Sequence, residues 1–270
     1  MTHRTYLETS HGQIHARVAG DRGPHVVLLH ESPLSSFVYD DVLPLLAPWA
    51  RVLAPDTLGY GMSDAPPQRL DIPGYAKPVV ELLGSLDGPA VLVGSHTGAS
   101  IAIEAAHQAP QLVSGLVLLG IPTYTPEQQR DRRQNWAPEE PVAEDAAHLL
   151  SAWTRYQGLW RGCDPVTRQR AVWTMLGSLE RYNWAYNSAF EYDPLTPLSR
   201  VTCPVLCVAA DGEFLEEGTR LAAERLGLPY AVVPDCIGQI PVRQPQVCAD
   251  LIERFVAEHD LAGSVTGAAR

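Results

Sequence analysis

The sequence predicts an α/β fold built on a mostly parallel sheet that is flanked by helices. Short β-branched apolar runs alternate with helix-like stretches near both ends of the chain. Continuous apolar runs are typical of strands that are buried on both faces, and strand-helix alternation indicates βαβ units. The 270 residues, of which 46% are hydrophobic, fit one large globular α/β domain.

Each element rests on a local pattern. The predicted strands are Val26–Leu29, Arg51–Ala54, Ala90–Val93, Leu116–Leu119, Val205–Ala209 and Tyr230–Val233. The predicted helices are Tyr39–Ala47, Ala76–Leu86, Ala99–Ala109, Thr219–Leu226 and Gln246–His259. Residues 123–198 break this rhythm with a helical stretch that holds five of the six tryptophans. We therefore predict a core of residues 1–122 and 199–270, with residues 123–198 inserted as a helical lid.

Charge and composition exclude several classes of partner. The net charge of −11 predicts that the chain does not bind nucleic acid or an anionic membrane surface, because an acidic protein repels phosphate. No apolar run is long enough to cross a bilayer, and the polar N-terminus does not resemble a signal peptide. We expect a cytoplasmic protein. The cysteines and acidic residues lack metal-ligand spacing and no phosphate-binding glycine motif is present, so we expect neither a metal nor another cofactor.

A sharp turn is predicted after the third strand. Gly94-Ser95-His96-Thr97-Gly98 joins that strand to a helix, and a strand, a G-x-X-x-G turn and a helix form the framework of a nucleophile elbow. The central residue of such a turn, here His96, is presented above the sheet in a strained conformation. The hydroxyl of Ser95 lies one place too early to be presented in this way.

Four further stretches resemble motifs of the α/β-hydrolase fold superfamily. They are LLHESPLSS, APDTLGYGMSD, CPVLCVAADGEF and DCIGQIPVRQP. With the elbow, they make the chain similar to that superfamily over nearly its full length. The resemblance implies an α/β-hydrolase fold with an inserted lid.

The catalytic positions depart from the superfamily pattern. The resemblance places His96 where a nucleophile stands, Glu213 at the position of the triad acid and Gln239 at that of the triad histidine. An amide cannot act as a general base, so a conventional acyl-enzyme mechanism is not expected. We expect His96 to titrate near neutrality as a general acid or base, oriented by Glu213 through Gln239, which can both donate and accept.

Two further features concern the ligand. The backbone N–H groups of Ser32 and Thr97 are expected to form an oxyanion hole, which does not depend on side-chain identity. Glu31, beside that hole, could transfer protons or bind a cationic substrate. Lid and loop aromatics should line an apolar pocket for a small-molecule or peptide substrate. The candidate lining residues are Phe37, Trp136, Trp153, Trp160, Trp173 and Tyr186.

Three functions remain open from the sequence. The leading hypothesis is a cofactor-independent, non-hydrolytic enzyme of the isomerase, epimerase or lyase type that transfers a proton next to a carbonyl in a biosynthetic pathway, such as one for a natural product. The second is a hydrolase in which His96 activates water for attack on an activated ester or an epoxide. The third is a pseudo-hydrolase that binds a small molecule without catalysis. The sequence does not give the oligomeric state.

Overall fold

A single eight-stranded sheet forms the centre of the molecule. The computed structural model describes residues 2–261, and its strands follow the order β1-β2-β4-β3-β5-β6-β7-β8. The strands are β1 (His3–Thr9), β2 (Gly12–Ala19), β3 (His25–Leu29), β4 (Arg51–Pro55), β5 (Ala90–Ser95), β6 (Val113–Leu119), β7 (Val205–Ala210) and β8 (Tyr230–Val233). From β4 to β8 the pairs are parallel, whereas β2 is antiparallel to both β1 and β4. The predicted mostly parallel sheet is confirmed.

Helices cover both faces of this sheet, because each face carries its own buried apolar cluster. They are α1 (Leu43–Leu46), α2 (Ile72–Gly84), α3 (Thr97–Gln108), α4 (Pro126–Asp131), α5 (Ala147–Leu159), α6 (Pro165–Gly177), α7 (Trp184–Glu191), α8 (Leu195–Leu198), α9 (Glu216–Leu226), α10 (Ile240–Arg243) and α11 (Pro245–Glu258). Helices α4 to α8 stand between β6 and β7, and we call them the cap helices. No helix within residues 2–261 is both long and apolar enough to cross a membrane.

The sequence missed the first two strands and overestimated one helix. β1 is exposed at alternate positions, so it lacks the continuous apolar run that marks the buried strands. The predicted helix over Tyr39–Ala47 is reduced to the four residues of α1, and a 3₁₀ turn over Ser36–Tyr39 precedes it. Pro44 near the start of α1 explains the break, since proline is disfavoured inside a helix and tolerated in its first turn.

The parallel strands bring the predicted site residues to one edge of the sheet. β3 ends just before Glu31, β5 just before His96, and β7 three residues before Glu213. The carboxyl ends of parallel strands meet at the same edge, which is where open α/β sheets bind ligands. Residues that are more than 60 positions apart in sequence therefore converge.

Candidate active site

His96 occupies the tip of a strained turn between β5 and α3. Its backbone has φ 49° and ψ −109°, a conformation that is costly for a residue with a side chain. Its N–H donates to the carbonyl of Leu119 at 2.9 Å, which fixes the turn against β6. A Cβ on Gly98 would collide with the carbonyl oxygen of Leu29, so glycine is needed where α3 approaches β3. The predicted elbow geometry is present.

Two carboxylates hold the imidazole of His96. Its Nδ1 lies 3.0 Å from Oε2 of Glu31, and its Nε2 lies 3.1 Å from Oε2 of Glu213. The other oxygen of Glu213 accepts the N–H of Ala210 at 3.0 Å. Gly120 leaves room for the ring, because a Cβ there would lie 2.7 Å from Cδ2 of His96. All three side chains of this Glu31–His96–Glu213 chain are largely buried.

These contacts change the protonation of His96. Burial by itself lowers the pKa of this imidazole, but the charge of Glu31 and the hydrogen bond to Glu213 outweigh burial and raise the pKa to about 10. The ring is therefore a cation at neutral pH, with both nitrogens occupied by carboxylates. The expectation that His96 titrates near neutrality as a free base is wrong, because two acids approach it instead of one.

Gln239 does not connect Glu213 to His96. Its Oε1 accepts from Nε of Arg243 at 3.3 Å, one turn along the chain, while Glu213 reaches His96 directly. The predicted relay is wrong for this reason. Gln239 adopts a left-handed conformation with φ 48° and borders the cavity beside His96.

The two amides predicted as an oxyanion hole both border the same cavity. Thr97 is the first residue of α3, where the helix supplies no acceptor for its N–H. Ser32 lies in the turn after β3, which the Leu34 N–H closes on the Glu31 carbonyl at 3.0 Å. Neither amide donates to an acceptor within the described part of the chain, so both remain available to a ligand oxygen.

The cavity above His96 is narrow and mainly aromatic. Its volume is about 30 Å³, which holds about two water molecules. Of the predicted lining residues, Glu31, Trp136, Trp160 and Tyr186 border it. The cavity therefore leaves little free space beside His96.

Three predicted aromatics do not line this cavity. Phe37 lies behind Trp160, with the ring centroids 6.2 Å apart. Trp153 is partly buried and packs under Arg168. Trp173 is 75% exposed, because it lies off the face of α6 that buries Ala171, Val172 and Met175. These three predictions were wrong.

Other aromatics, which the sequence analysis did not single out, complete the wall: Tyr124, Tyr156, Phe190 and Phe214. Phe214 directly follows Glu213 and stacks edge-on against His96 at 5.6 Å, so adjacency to the triad-acid motif was a usable signal. Tyr156 lies one helical turn before Trp160 and contacts it, a spacing that places both side chains on one face. Tyr124 and Phe190 carried no comparable signal.

Comparison with known proteins gives the family and corrects the predicted function. The model of the alpha/beta hydrolase family matches residues 26–251. A haloalkane dehalogenase of Mesorhizobium japonicum is 34% identical over 102 residues, which are 37% of this chain and 33% of that protein. The 2-(acetamidomethylene)succinate hydrolase of the same organism is 25% identical over 257 residues, which are 87% of this chain and 88% of that protein. The chain spans about a third of the length of the first curated relatives that it matches.

A solved structure agrees on the fold. The epoxide hydrolase CorEH superposes with a TM-score of 0.74 at 20% identity, covering 96% of this chain and 99% of that one. At that identity the likeness concerns the fold alone.

The leading hypothesis of a non-hydrolytic isomerase or lyase is wrong, since the similar proteins with a named activity are hydrolases and dehalogenases. The named relatives are enzymes. The family model, which covers most of the sheet and the cap helices, identifies the chain as a member of the alpha/beta hydrolase family.

Proposed function

We propose that the chain is a hydrolase of carboxylic esters in which Glu31 activates a water molecule. The observation that carries this proposal is the Glu31–His96–Glu213 chain beside the unpartnered amides of Ser32 and Thr97. One group could accept a proton there, and two donors could stabilise the oxyanion that forms when water attacks a carbonyl. The names of the relatives support hydrolysis as the reaction type.

Among Glu31, His96 and Glu213, Glu31 is the residue that is free to take a proton. Both oxygens of Glu213 are occupied, by His96 and by the Ala210 N–H. Both ring nitrogens of His96 face carboxylates, and its raised pKa keeps it protonated. No group within residues 2–261 donates a hydrogen bond to Oε2 of Glu31, which meets Nδ1 of His96 as an ion-pair contact at 3.0 Å, and Glu31 borders the cavity.

The charges of the site leave room for one more proton. Two carboxylates and one imidazolium give the Glu31–His96–Glu213 cluster a net charge of −1 in a largely buried setting. Accepting a proton from water makes this cluster neutral. The His96 cation holds Glu31 in place, so His96 acts as a positioning residue.

The reaction follows from these positions. The oxygen of a water molecule bonds to the ester carbonyl carbon while one of its protons moves to Oε1 of Glu31. The carbonyl oxygen becomes an oxyanion that accepts from the N–H groups of Ser32 and Thr97. When the oxyanion collapses, the ester C–O bond breaks and the proton passes from Glu31 to the leaving alkoxide. The products are a carboxylic acid and an alcohol, and Glu31 is again a carboxylate.

An epoxide is the second candidate substrate class. The hydroxyl of Tyr156 is buried without a hydrogen-bond partner in the described part of the chain, and its residue borders the cavity. A phenol in that position can donate to the epoxide oxygen while water, deprotonated by Glu31, opens the ring. The product would be a diol.

The test compares variants on a panel of 4-nitrophenyl esters and styrene oxide. Glu31→Gln keeps the shape of the side chain but removes the base, and we expect kcat to fall by about 100-fold or more. Ser95→Ala is the matched control, because Ser95 is buried beside His96 but does not border the cavity. Its activity should equal that of the wild type.

Two outcomes would contradict the proposal. Loss of activity in Ser95→Ala together with retention in Glu31→Gln would indicate a serine nucleophile. No turnover by the wild type on either substrate class, with binding of the same compounds retained, would favour the non-catalytic alternative.

A further inference from the structure

A second, wider opening lies on the surface between helix α6 and the strands β1 and β2, which form one end of the sheet. Its volume is about 360 Å³, compared with about 30 Å³ for the cavity at His96. Arg4 and Arg17 border it from the strands, and Arg170 and Trp173 border it from α6. We call it the arginine cleft.

The arginine cleft concentrates positive charge in an acidic protein. Arg4 and Arg17 stand directly opposite each other in the antiparallel pair of β1 and β2, an arrangement that is destabilising for like charges. Asp40 pairs with both Arg17, at 2.9 Å, and Arg170. Arg4 forms no ion pair within residues 2–261. Three guanidinium groups and one carboxylate leave a charge of +2 here, although the chain carries −11.

One donor of the same cluster is buried without a partner. The Nε of Arg17 is inaccessible to solvent and has no hydrogen-bond partner within residues 2–261. A buried unpartnered donor costs free energy, and guanidinium groups bind carboxylate or phosphate oxygens in a bidentate manner. An anion in the cleft would also relieve the repulsion between Arg4 and Arg17.

Helix α6 borders the cleft with apolar side chains, whereas β1 and β2 border it with arginines. Trp173 is 75% exposed and Val166 is 69% exposed, and both border the cleft from one face of α6, about two helical turns apart. Large apolar side chains that are exposed on one surface typically mark a binding site. The Phe37 ring closes the floor, with the guanidinium of Arg170 lying 4.8 Å from its centroid.

We infer that the arginine cleft binds an organic anion in which a carboxylate or phosphate group is attached to an aromatic ring. The three arginines take the anionic group, and Trp173 stacks on the ring. This site is separate from the cavity at His96, because Phe37 and Trp160 stand between them.

Isothermal titration of the full chain with 2-naphthoate and with 2-naphthyl phosphate tests the inference. We expect saturable binding of at least one probe and about tenfold weaker binding of the uncharged naphthalene-2-carboxamide, since charge-assisted hydrogen bonds would be lost. Arg4→Gln and Arg170→Gln should each weaken binding by about tenfold, and Trp173→Ala by several-fold. The tighter of the two probes identifies the anionic group.

Matched controls separate the cleft from other sites. Arg254→Gln removes an exposed arginine on α11, and Leu150→Ala removes an exposed apolar residue on α5, so both should bind like the wild type. Glu31→Gln should also bind normally. The inference is overturned if neither probe binds at millimolar concentration, if the cleft variants bind like the wild type, or if Glu31→Gln abolishes binding.

Discussion

The molecule holds two clusters of charged residues with opposite compositions. Around His96, two acids enclose one base in a narrow buried cavity, and every charge has an opposite neighbour. In the arginine cleft, an open surface site, Arg17 and Arg170 share one acid, Asp40, and Arg4 has no ion-pair partner within residues 2–261. We call the first cluster complete, because every charge in it is paired, and the second incomplete, because it keeps a net charge of +2. This contrast agrees with the two proposals, which assign the reaction to the cluster at His96 and the binding of an anion to the arginine cleft.

The largest expected effect on stability comes from removing one acid of the complete cluster at His96. Glu213→Gln removes one of the two carboxylates that neutralise the His96 cation, although the amide can still accept from Ala210. His96 keeps its ion pair with Glu31 in this variant, so the loss is that of one hydrogen bond to a charged group, about 1.5–3 kcal/mol in the free energy of unfolding. Urea denaturation at neutral pH measures this loss.

The matched control is Glu224→Gln, which breaks the exposed pair with Arg220 on α9. An exposed pair contributes little to stability because water and salt screen it, so this variant should unfold near the wild-type midpoint. Equal losses in the two variants would show that the His96 cluster contributes no more than a surface pair.

A smaller effect should appear in the pH dependence of stability. The folded pKa of His96, about 10, lies above the ordinary value of 6.5. The stabilisation it gives is therefore complete below the ordinary pKa and is lost as pH rises through the folded pKa. The wild type should exceed His96→Asn in unfolding free energy by the largest margin at about pH 6, and this margin should shrink toward about pH 10. A margin that stays constant over this range would contradict the raised pKa.

The smallest effect concerns the incomplete cluster. Arg4→Gln removes one of two directly opposed arginines, so it should stabilise the fold by about 0.2–1 kcal/mol at low salt. The gain should fade as salt screens the repulsion. Thermal unfolding at two salt concentrations measures it, with Arg254→Gln as the control. Destabilisation by Arg4→Gln would mean that the two arginines do not repel each other.

The sequence predicted the sheet well because its parallel strands are buried on both faces and therefore appear as unbroken apolar runs. It missed β1, an edge strand that alternates in exposure, and β2, whose apolar residues are interrupted by polar ones such as His15 and Arg17. Trp173 was misplaced because composition does not reveal which face of α6 is buried, and no residue of α6 borders the cavity at His96.

At the candidate site, the sequence predicted the position of His96 but not its protonation state. The elbow is a local pattern, and its strained geometry follows from five consecutive residues. The protonation of His96 depends on Glu31 and Glu213, which are far away in sequence and meet it only through the order of the strands. The same limit applies to Gln239, whose side chain turns to Arg243, four residues along the chain, instead of crossing to Glu213.

The charge of His96 is the claim on which the proposed role of Glu31 depends, and nuclear magnetic resonance measures it directly. The ring ¹⁵N and ¹³C shifts of His96 can be assigned among the nine histidines by comparison with His96→Asn. We predict imidazolium shifts that stay unchanged from about pH 5 to about pH 9, since the pKa is raised to about 10. A titration near the ordinary value of 6.5 would contradict the account, because His96 would then be a free base and Glu31 would not be needed to accept the proton.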